Sequence, residues 1–505
     1  MKSVSLLPSY IESRKGKELD VQAVSYIANL DLISSVSPLV ASSIVKELID
    51  QRSHLKLIAS ENYSSIASQV AMGNLLTDKY SEGYAYHRFY AGCENVDVIE
   101  AHASELACTL FGAEHAYVQP HSGADANLIA YWAILNQNVQ VPLVQEMGVS
   151  NISDMSREDW NKVRKAVGNQ KILGLDYYSG GHLTHGYRQN VSAQMFDAYT
   201  YTVNKESGLL DYEEIRRLAK EIRPLILLAG YSAYPRLIDF KKMKEIATEV
   251  GAVFMVDMAH FAGLVAGKVM SGNYDPIIHA DIVTTTTHKT LRGPRGGMIL
   301  CKKEYADSVN KGCPLVIGGP LPHVIAAKAV AFTEALESTF PTYAQNIVDN
   351  AKSLASYCQE LGMVIATGGT DNHLMLLDVT TFGINGRQGE SALRDCGITL
   401  NRNALPFDEN GPWYTSGLRI GTPAVTTLGM KKGEMKEIAS IIHLVLSNTK
   451  PAMITKGTKA GQVSRARYVT PIEVQEEAKK RVKSLLDGYL LYPSLDLSLL
   501  VQYVQ

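Results

Sequence analysis

Lys289 stands at the end of a β-branched run, Ile282 to Thr287, and opens a glycine-rich turn that also carries Arg292 and Arg295. A strand end holds such an amine rigidly. If the amine can also lose its proton near neutral pH, it can form a Schiff base. A solvated Lys-Thr turn after an ordinary strand has the same local pattern, so the reading depends on what other segments supply.

Pyridoxal phosphate is the cofactor such a lysine serves, and its needs are specific. Its ring nitrogen must stay protonated, which calls for a buried carboxylate. The apolar run Val253-Phe254-Met255-Val256 delivers Asp257, with His260 three residues on. Its phosphate needs backbone N–H donors and a small hydroxyl at a helix N-terminus. In Gln119 to Asn127, Ser122 and Gly123 are placed at the first turn of a helix running through Trp132. A substrate carboxylate needs a guanidinium, and Thr415 to Thr422 offers Arg419 among small residues. Gly180 to Gly186 is a glycine turn bearing His182 and His185. Two histidines three apart without neighbouring carboxylates make a poor metal site, so the turn reads as an aromatic lid over a ring, and no metal is expected. A helix cap without ligand, a strand-end aspartate and a surface arginine are the ordinary counterparts of these features.

The elements around them follow α/β order. Leu225 to Gly230 and Val253 to Val256 are continuous apolar runs, as doubly buried parallel strands are, and Phe240 to Val250 reads as the helix between them. The expected class is α/β, a mostly parallel mixed sheet flanked by helices, with a smaller C-terminal α+β domain. The expected division is an N-terminal arm (1–55), a large domain (56–320) and a linking helix with the small domain (321–505). Asn136 to Lys171 is a polar attachment with a short helix at Ser156 to Val167. Thr470-Pro471-Ile472-Glu473 resembles a capping box opening a helix that stops at Gly488. The 505 residues are 46% hydrophobic and carry a net charge of −2, which favours a soluble globular protein without nucleic-acid or membrane partners. The first twenty residues hold no long apolar stretch, and the six cysteines form no C-x-x-C pair. Reduced thiols in a cytoplasmic enzyme are expected.

The whole set resembles the serine hydroxymethyltransferases, fold-type-I pyridoxal-phosphate enzymes. The resemblance runs through Leu57 to Tyr63, Lys79 to Tyr84, Gln119 to Gly123, Gly180 to Gly186, Ala229 to Arg236, Val256 to Gly263, Thr284 to Gly297 and Gly369 to His373. It implies that Lys289 carries the cofactor as a Schiff base, with Asp257 at the pyridinium nitrogen and His182 on the ring. It implies Ser232 and His260 near the phenolic oxygen and the lysine, with Thr286 and His288 beside them. The phosphate falls to Ser122 and Gly123, with Gly319 from a partner subunit. Ser60 and Arg419 take the amino-acid carboxylate, and Glu82 is the acid/base at the serine hydroxyl. Tyr80 comes across a dimer interface and Tyr90 positions substrate. Gly181, Leu183, Tyr177 and Asn403 line the substrate and folate side. The implied activity converts L-serine and tetrahydrofolate to glycine and 5,10-methylenetetrahydrofolate, in a homodimer with shared sites or a tetramer of such dimers.

The sequence departs from the family pattern away from the cofactor contacts. The usual Asp-Leu-Ala-His reads Asp176-Tyr177-Tyr178-Ser179, which puts tyrosine where a leucine packs on folate. Tyr84-Ala85-Tyr86, Phe89-Tyr90 and Thr426 to Gly429 also differ. A folate-independent carbon–carbon lyase of the same fold and a non-catalytic binding protein are the rival readings. Asn403 and the tyrosines weigh against the first, and intact Lys289, Asp257, Arg419 and Glu82 against the second.

Overall fold

The computed structural model describes residues 5–458 and 460–504. Two helices, α1 (Val21–Val36) and α2 (Pro38–Ser53), lead in, with the Asp20 carboxylate capping the first. A short strand, Leu55–Lys56, then pairs in parallel with Ile398–Thr399 far along the chain. The central sheet is built from β1 (His115–Tyr117), β2 (Lys171–Leu175), β3 (Asp197–Tyr201), β4 (Ile226–Gly230), β5 (Val253–Asp257), β6 (Ile282–Thr286) and β7 (Gly297–Cys301). Their spatial order is β1-β7-β6-β5-β4-β2-β3. Strands β2 to β6 run parallel, and β7 is antiparallel to both β6 and β1.

Every residue of β4, β5 and β6 is buried, which is why these strands read as unbroken apolar or β-branched runs. The edge strand β3 keeps Asp197 and Thr200 exposed. Helices α3 (Glu94–Phe111), α4 (Gly123–Leu135) and α6 (Phe240–Val250) pack on the sheet, while α5 (Arg157–Gly168) comes between α4 and β2 in the chain and sets Val167 against the core beneath α4. Asp239 caps α6, and Gly251 ends it in the left-handed region at φ 71°.

Beyond β7, α7 (Pro322–Ala335) returns across α3, and α8 (Phe340–Glu360) spans two cores. Its first half, Phe340 to Val348, packs in the main core. Leu354, Ala355 and Cys358 belong to a second core. That core lies under a four-stranded antiparallel sheet of β8 (Val364–Ile365), β9 (Leu374–Asp378), β10 (Asn401–Asn403) and β11 (Gly417–Gly421), in the order β8-β9-β11-β10. Leu55 and Leu57 join it, so the chain's early segment is tied to this C-terminal sheet. Helices α9 (Lys432–Ser447) and α10 (Ile472–Asp487) cover it.

One local expectation is corrected. The capping box at Thr470 does not form, because the Thr470 hydroxyl pairs with the Thr449 hydroxyl at 2.8 Å and Pro471 is itself the N-cap. α10 does stop at Gly488, with φ −83°. The helix opened by Ser122 also runs past Trp132 to Leu135. It then continues through a wide turn, Asn136–Gln140, into a further helix, Val141–Glu146. No helix among the described residues is long and apolar enough to cross a membrane.

Candidate active site

The carboxyl ends of β2, β4, β5 and β6 deliver Asp176, Ser232, Asp257 and Lys289 to one side of the sheet, where open α/β sheets bind ligands. Asp257 is 7% exposed. One of its oxygens accepts from Asn127 Nδ2 at 2.9 Å and His185 Nε2 at 3.1 Å, and the other from the Ala259 N–H at 3.0 Å. Burial pushes this carboxyl up. The hydrogen bond and charge of His185 outweigh that, and hold it well below the usual carboxylate range. Asn127 also donates to Thr184 at 2.8 Å and accepts from Thr284 at 2.6 Å. Thr184 in turn meets His182 Nδ1 at 2.7 Å, so carboxylate and lid share one network. The histidine turn was expected to lack a neighbouring carboxylate. The fold corrects this, bringing Asp257 within reach of both rings.

Lys289 lies in the loop between β6 and β7, closed by Thr287 N–H to Gly296 O and Gly293 N–H to Thr287 O. Asn62 donates to the Lys289 carbonyl at 2.9 Å and accepts from Thr427, which fixes the backbone of the lysine. Burial lowers the amine to about 8, with Asp257 opposing and Arg419 and Arg295 assisting. Burial also lowers His182 to about 4 and His288 to about 3, and takes His260 well below its ordinary value. His260 stacks on His373, with facing ring nitrogens 3.3 Å apart. The Thr286 hydroxyl donates to Ala259 O at 3.1 Å.

Ser122 caps α4, its hydroxyl accepting from the Asp125 N–H at 3.2 Å. The turn is packed so closely that a Cβ on Gly123 would meet Thr286 Cγ2 at 2.7 Å. One on Gly297 would meet Ser122 O at 2.2 Å. The glycines therefore let this turn pack closely against β6 and β7 at the helix N-terminus, where the first N–H groups have no intrahelical acceptor.

Arg419 projects from β11 and is 9% exposed. It donates to Asn401 Oδ1 at 3.1 Å and to Ser232 O and Oγ at 2.6 and 3.1 Å. No carboxylate among the described residues pairs with it, and burial lowers it to about 10. It lines a cavity of about 180 Å³ with Tyr177, Gly181, Ser232 and Asn403. Gly181 is obligatory there, because a Cβ would lie 2.0 Å from Leu175 O. Ala59 packs against Gly421 at the end of β11, which brings Ser60 to the same edge. Leu183 is 41% exposed beside the lid histidine.

The remaining expected residues form a separate cluster. The rings of Tyr80 and Tyr90 meet edge to face at 5.0 Å, desolvation and then the charge of Glu82 raise the Tyr90 hydroxyl, and Gly319 lies against the Tyr80 ring. Tyr80 and Tyr90 are about half exposed.

Sequence reasoning assigned no role to Asn127, His185, Asn62 or His373. All four sit within the quoted motifs, but their partners are distant in sequence.

The site fits pyridoxal phosphate on its own features. A buried cation lacks a counterion, and His288 Nδ1 and His373 Nδ1 are buried without partners. A closely packed glycine turn stands at a helix N-terminus, and a lysine of lowered pKa lies near a buried carboxylate. The fold and this site define a fold-type-I pyridoxal-phosphate enzyme. The serine hydroxymethyltransferase family model matches residues 33–145 and 163–442, leaving 146–162 as the stretch that the family pattern skips. The chain is 60% identical to a serine hydroxymethyltransferase of Treponema pallidum over 97% of its length and 85% of that protein's. It is 53% identical to one of Salinispora tropica, covering 95% and 99%, and 51% identical to one of Chlamydia muridarum, covering 98% and 100%. The chain belongs to the serine hydroxymethyltransferase family, whose members depend on pyridoxal phosphate and use tetrahydrofolate as co-substrate.

Proposed function

We propose that this chain interconverts L-serine plus tetrahydrofolate and glycine plus 5,10-methylenetetrahydrofolate. One observation carries the reading from cofactor to substrate. Arg419 is a buried, uncompensated guanidinium beside the lysine, in a cavity that Tyr177 and Asn403 share. The guanidinium and Ser60 bind the amino-acid carboxylate, which orients the Cα substituents over the lysine. The bound cofactor supplies a protonated ring that accepts the electrons of the breaking Cα–Cβ bond. Asp257 holds the proton at the ring nitrogen, and Asn127 and His185 keep Asp257 ionised and aimed. His182 covers the ring and keeps water off it. Ser122 and Gly123 present N–H donors to the phosphate. Ser232, His260, Thr286 and His288 order the lysine's surroundings. Lys289 would hold the cofactor, and its lowered pKa favours the unprotonated amine that such attachment needs. Glu82 holds and moves the proton at the serine hydroxyl, with Tyr90 positioning it. Tyr177, Leu183 and Asn403 contact the folate.

The Tyr80, Glu82, Tyr90 and Gly319 cluster supports a homodimer in which each subunit completes its partner's site. These residues contact one another, and Glu82 is not among the charges acting on Lys289. A cytoplasmic location belongs to the same reading, and six unpaired cysteines support it. The test is glycine binding followed by absorbance, with and without tetrahydrofolate. A new long-wavelength band that tetrahydrofolate strengthens is expected. A band indifferent to folate would replace this function with that of a folate-independent lyase.

A further inference from the structure

Lys328, on α7, is 1% exposed and belongs to none of the roles above. Its ammonium donates to three backbone carbonyls, Val118 O at 2.6 Å, Gly297 O at 2.7 Å and Pro120 O at 3.1 Å. An ammonium has three N–H donors, so all are used. The three carbonyls belong to the two segments that form the cradle. Val118 and Pro120 lead from β1 into the Ser122–Gly123 turn, and Gly297 opens β7. The Gly297 N–H also donates to Pro120 O at 3.0 Å, and Gly297 packs directly on the Ser122 carbonyl. β1 and β7 are paired from Tyr117 and Ile299 onward. Beyond that pair the Gly297 N–H still reaches Pro120 O, and the carbonyls of Val118, Pro120 and Gly297 converge on the lysine. A peptide unit is planar and trans, so its C=O and N–H point in opposite directions. Drawing Pro120 O toward Lys328 therefore turns the His121 N–H away from it. Drawing Gly297 O down fixes the height of the wall against Ser122. No carboxylate among the described residues pairs with the ammonium. Burial lowers it to about 7, with Glu100 opposing, while three carbonyl acceptors favour the protonated form, whose charge faces the backbone beneath the helix N-terminus.

We propose that Lys328 is a positioning residue for the phosphate cradle: it clamps the Val118–Pro120 segment and Gly297 at one spacing from inside the protein, and adds positive charge beneath the site of a dianionic phosphate. This rests on the reading of Ser122 and Gly123 as the phosphate site.

Removing the clamp loosens recognition of the phosphate and leaves recognition of the ring unchanged. The test uses cofactor-free protein titrated with pyridoxal 5′-phosphate and with pyridoxal, which lacks the phosphate. Lys328→Met keeps the length of the side chain and removes the ammonium. Gly296→Ala keeps the lysine and puts a Cβ 2.6 Å from its Cε, which pushes the ammonium off its carbonyls. The ratio of the two affinities is expected to fall about tenfold in Lys328→Met, as for loss of one partly buried charge at a helix N-terminus, and by a smaller factor in Gly296→Ala. Pyridoxal affinity is expected to be unchanged in both. If Lys328→Met does not fold, Gly296→Ala decides. A ratio equal to that of the unmodified protein, or equal losses for both ligands, overturns the proposal. An unmodified protein that prefers the phosphorylated ligand no more than pyridoxal overturns the phosphate-site reading itself, which is a different result.

Discussion

Asn127→Asp isolates the network that holds Asp257. The substitution keeps shape and replaces Nδ2, which donates to Asp257 at 2.9 Å, by an oxygen. Two carboxylates at that separation repel by about 6 kcal/mol at an effective dielectric constant of about 20. At about 1.4 kcal/mol per pKa unit this is roughly four units, so the new carboxyl keeps its proton in the folded state up to about pH 8. While protonated it donates its O–H to Asp257 and restores the lost bond. Its folded pKa is raised above the unfolded value, so its stability contribution is full below about pH 4. That contribution is lost as pH rises, at about 1.4 kcal/mol per unit. Asp257 in the unmodified protein has a depressed folded pKa and works in the opposite sense, losing stability only as pH falls below the ordinary carboxylate range. The assay is urea unfolding of cofactor-free protein at pH 5.5, 6.5 and 7.5. The gap between variant and unmodified protein is expected to widen by about 3 kcal/mol across those two units. Parallel profiles would refute the claim that Asn127 bonds an ionised Asp257.

Arg419→Met is expected to lower glycine and serine affinity by about a hundredfold or more, the loss of two charge-assisted bonds, with cofactor retention unchanged. Equilibrium titration checks this, and intact glycine binding would remove Arg419 from the carboxylate site. Tyr177→Leu is expected to change the apparent constant for tetrahydrofolate several-fold, since ring stacking is worth about 0.5–1.5 kcal/mol, with glycine binding unchanged. Steady-state kinetics checks it, and untouched folate kinetics would count against it. An inactive Tyr80→Ala variant mixed with an inactive Lys289→Ala variant under subunit exchange is expected to regain part of the activity. Heterodimers without recovery would contradict shared sites.

Much of the fold was legible because its strongest elements carry local signals. β4, β5 and β6 are buried on every residue and so are written as unbroken runs. α6 has its cap aspartate before it and its terminal glycine after it. Lys289, Asp257 and Arg419 were visible because each sits at a strand end or among small residues. What was missed depends on contacts that no local window contains. Asn127 and His185 reach Asp257 from 130 and 72 residues away, and Asn62 reaches Lys289 from 227. Asn136 to Gln140 reads as the start of a polar attachment, yet it continues the helix, with Gln137 bonded to Ser308. The Thr470 cap failed because Thr449 competes for its hydroxyl, a pairing set by the approach of two distant segments.

The central claim is transfer of the serine Cβ carbon to a folate at a site built on Lys289 and Arg419. The most direct measurement follows serine labelled with carbon-13 at Cβ in the presence of the protein, pyridoxal phosphate and tetrahydrofolate. The label is expected in 5,10-methylenetetrahydrofolate, one equivalent per glycine formed, with release dependent on tetrahydrofolate and abolished in Lys289→Ala. Label appearing as free formaldehyde at a rate indifferent to tetrahydrofolate would contradict it.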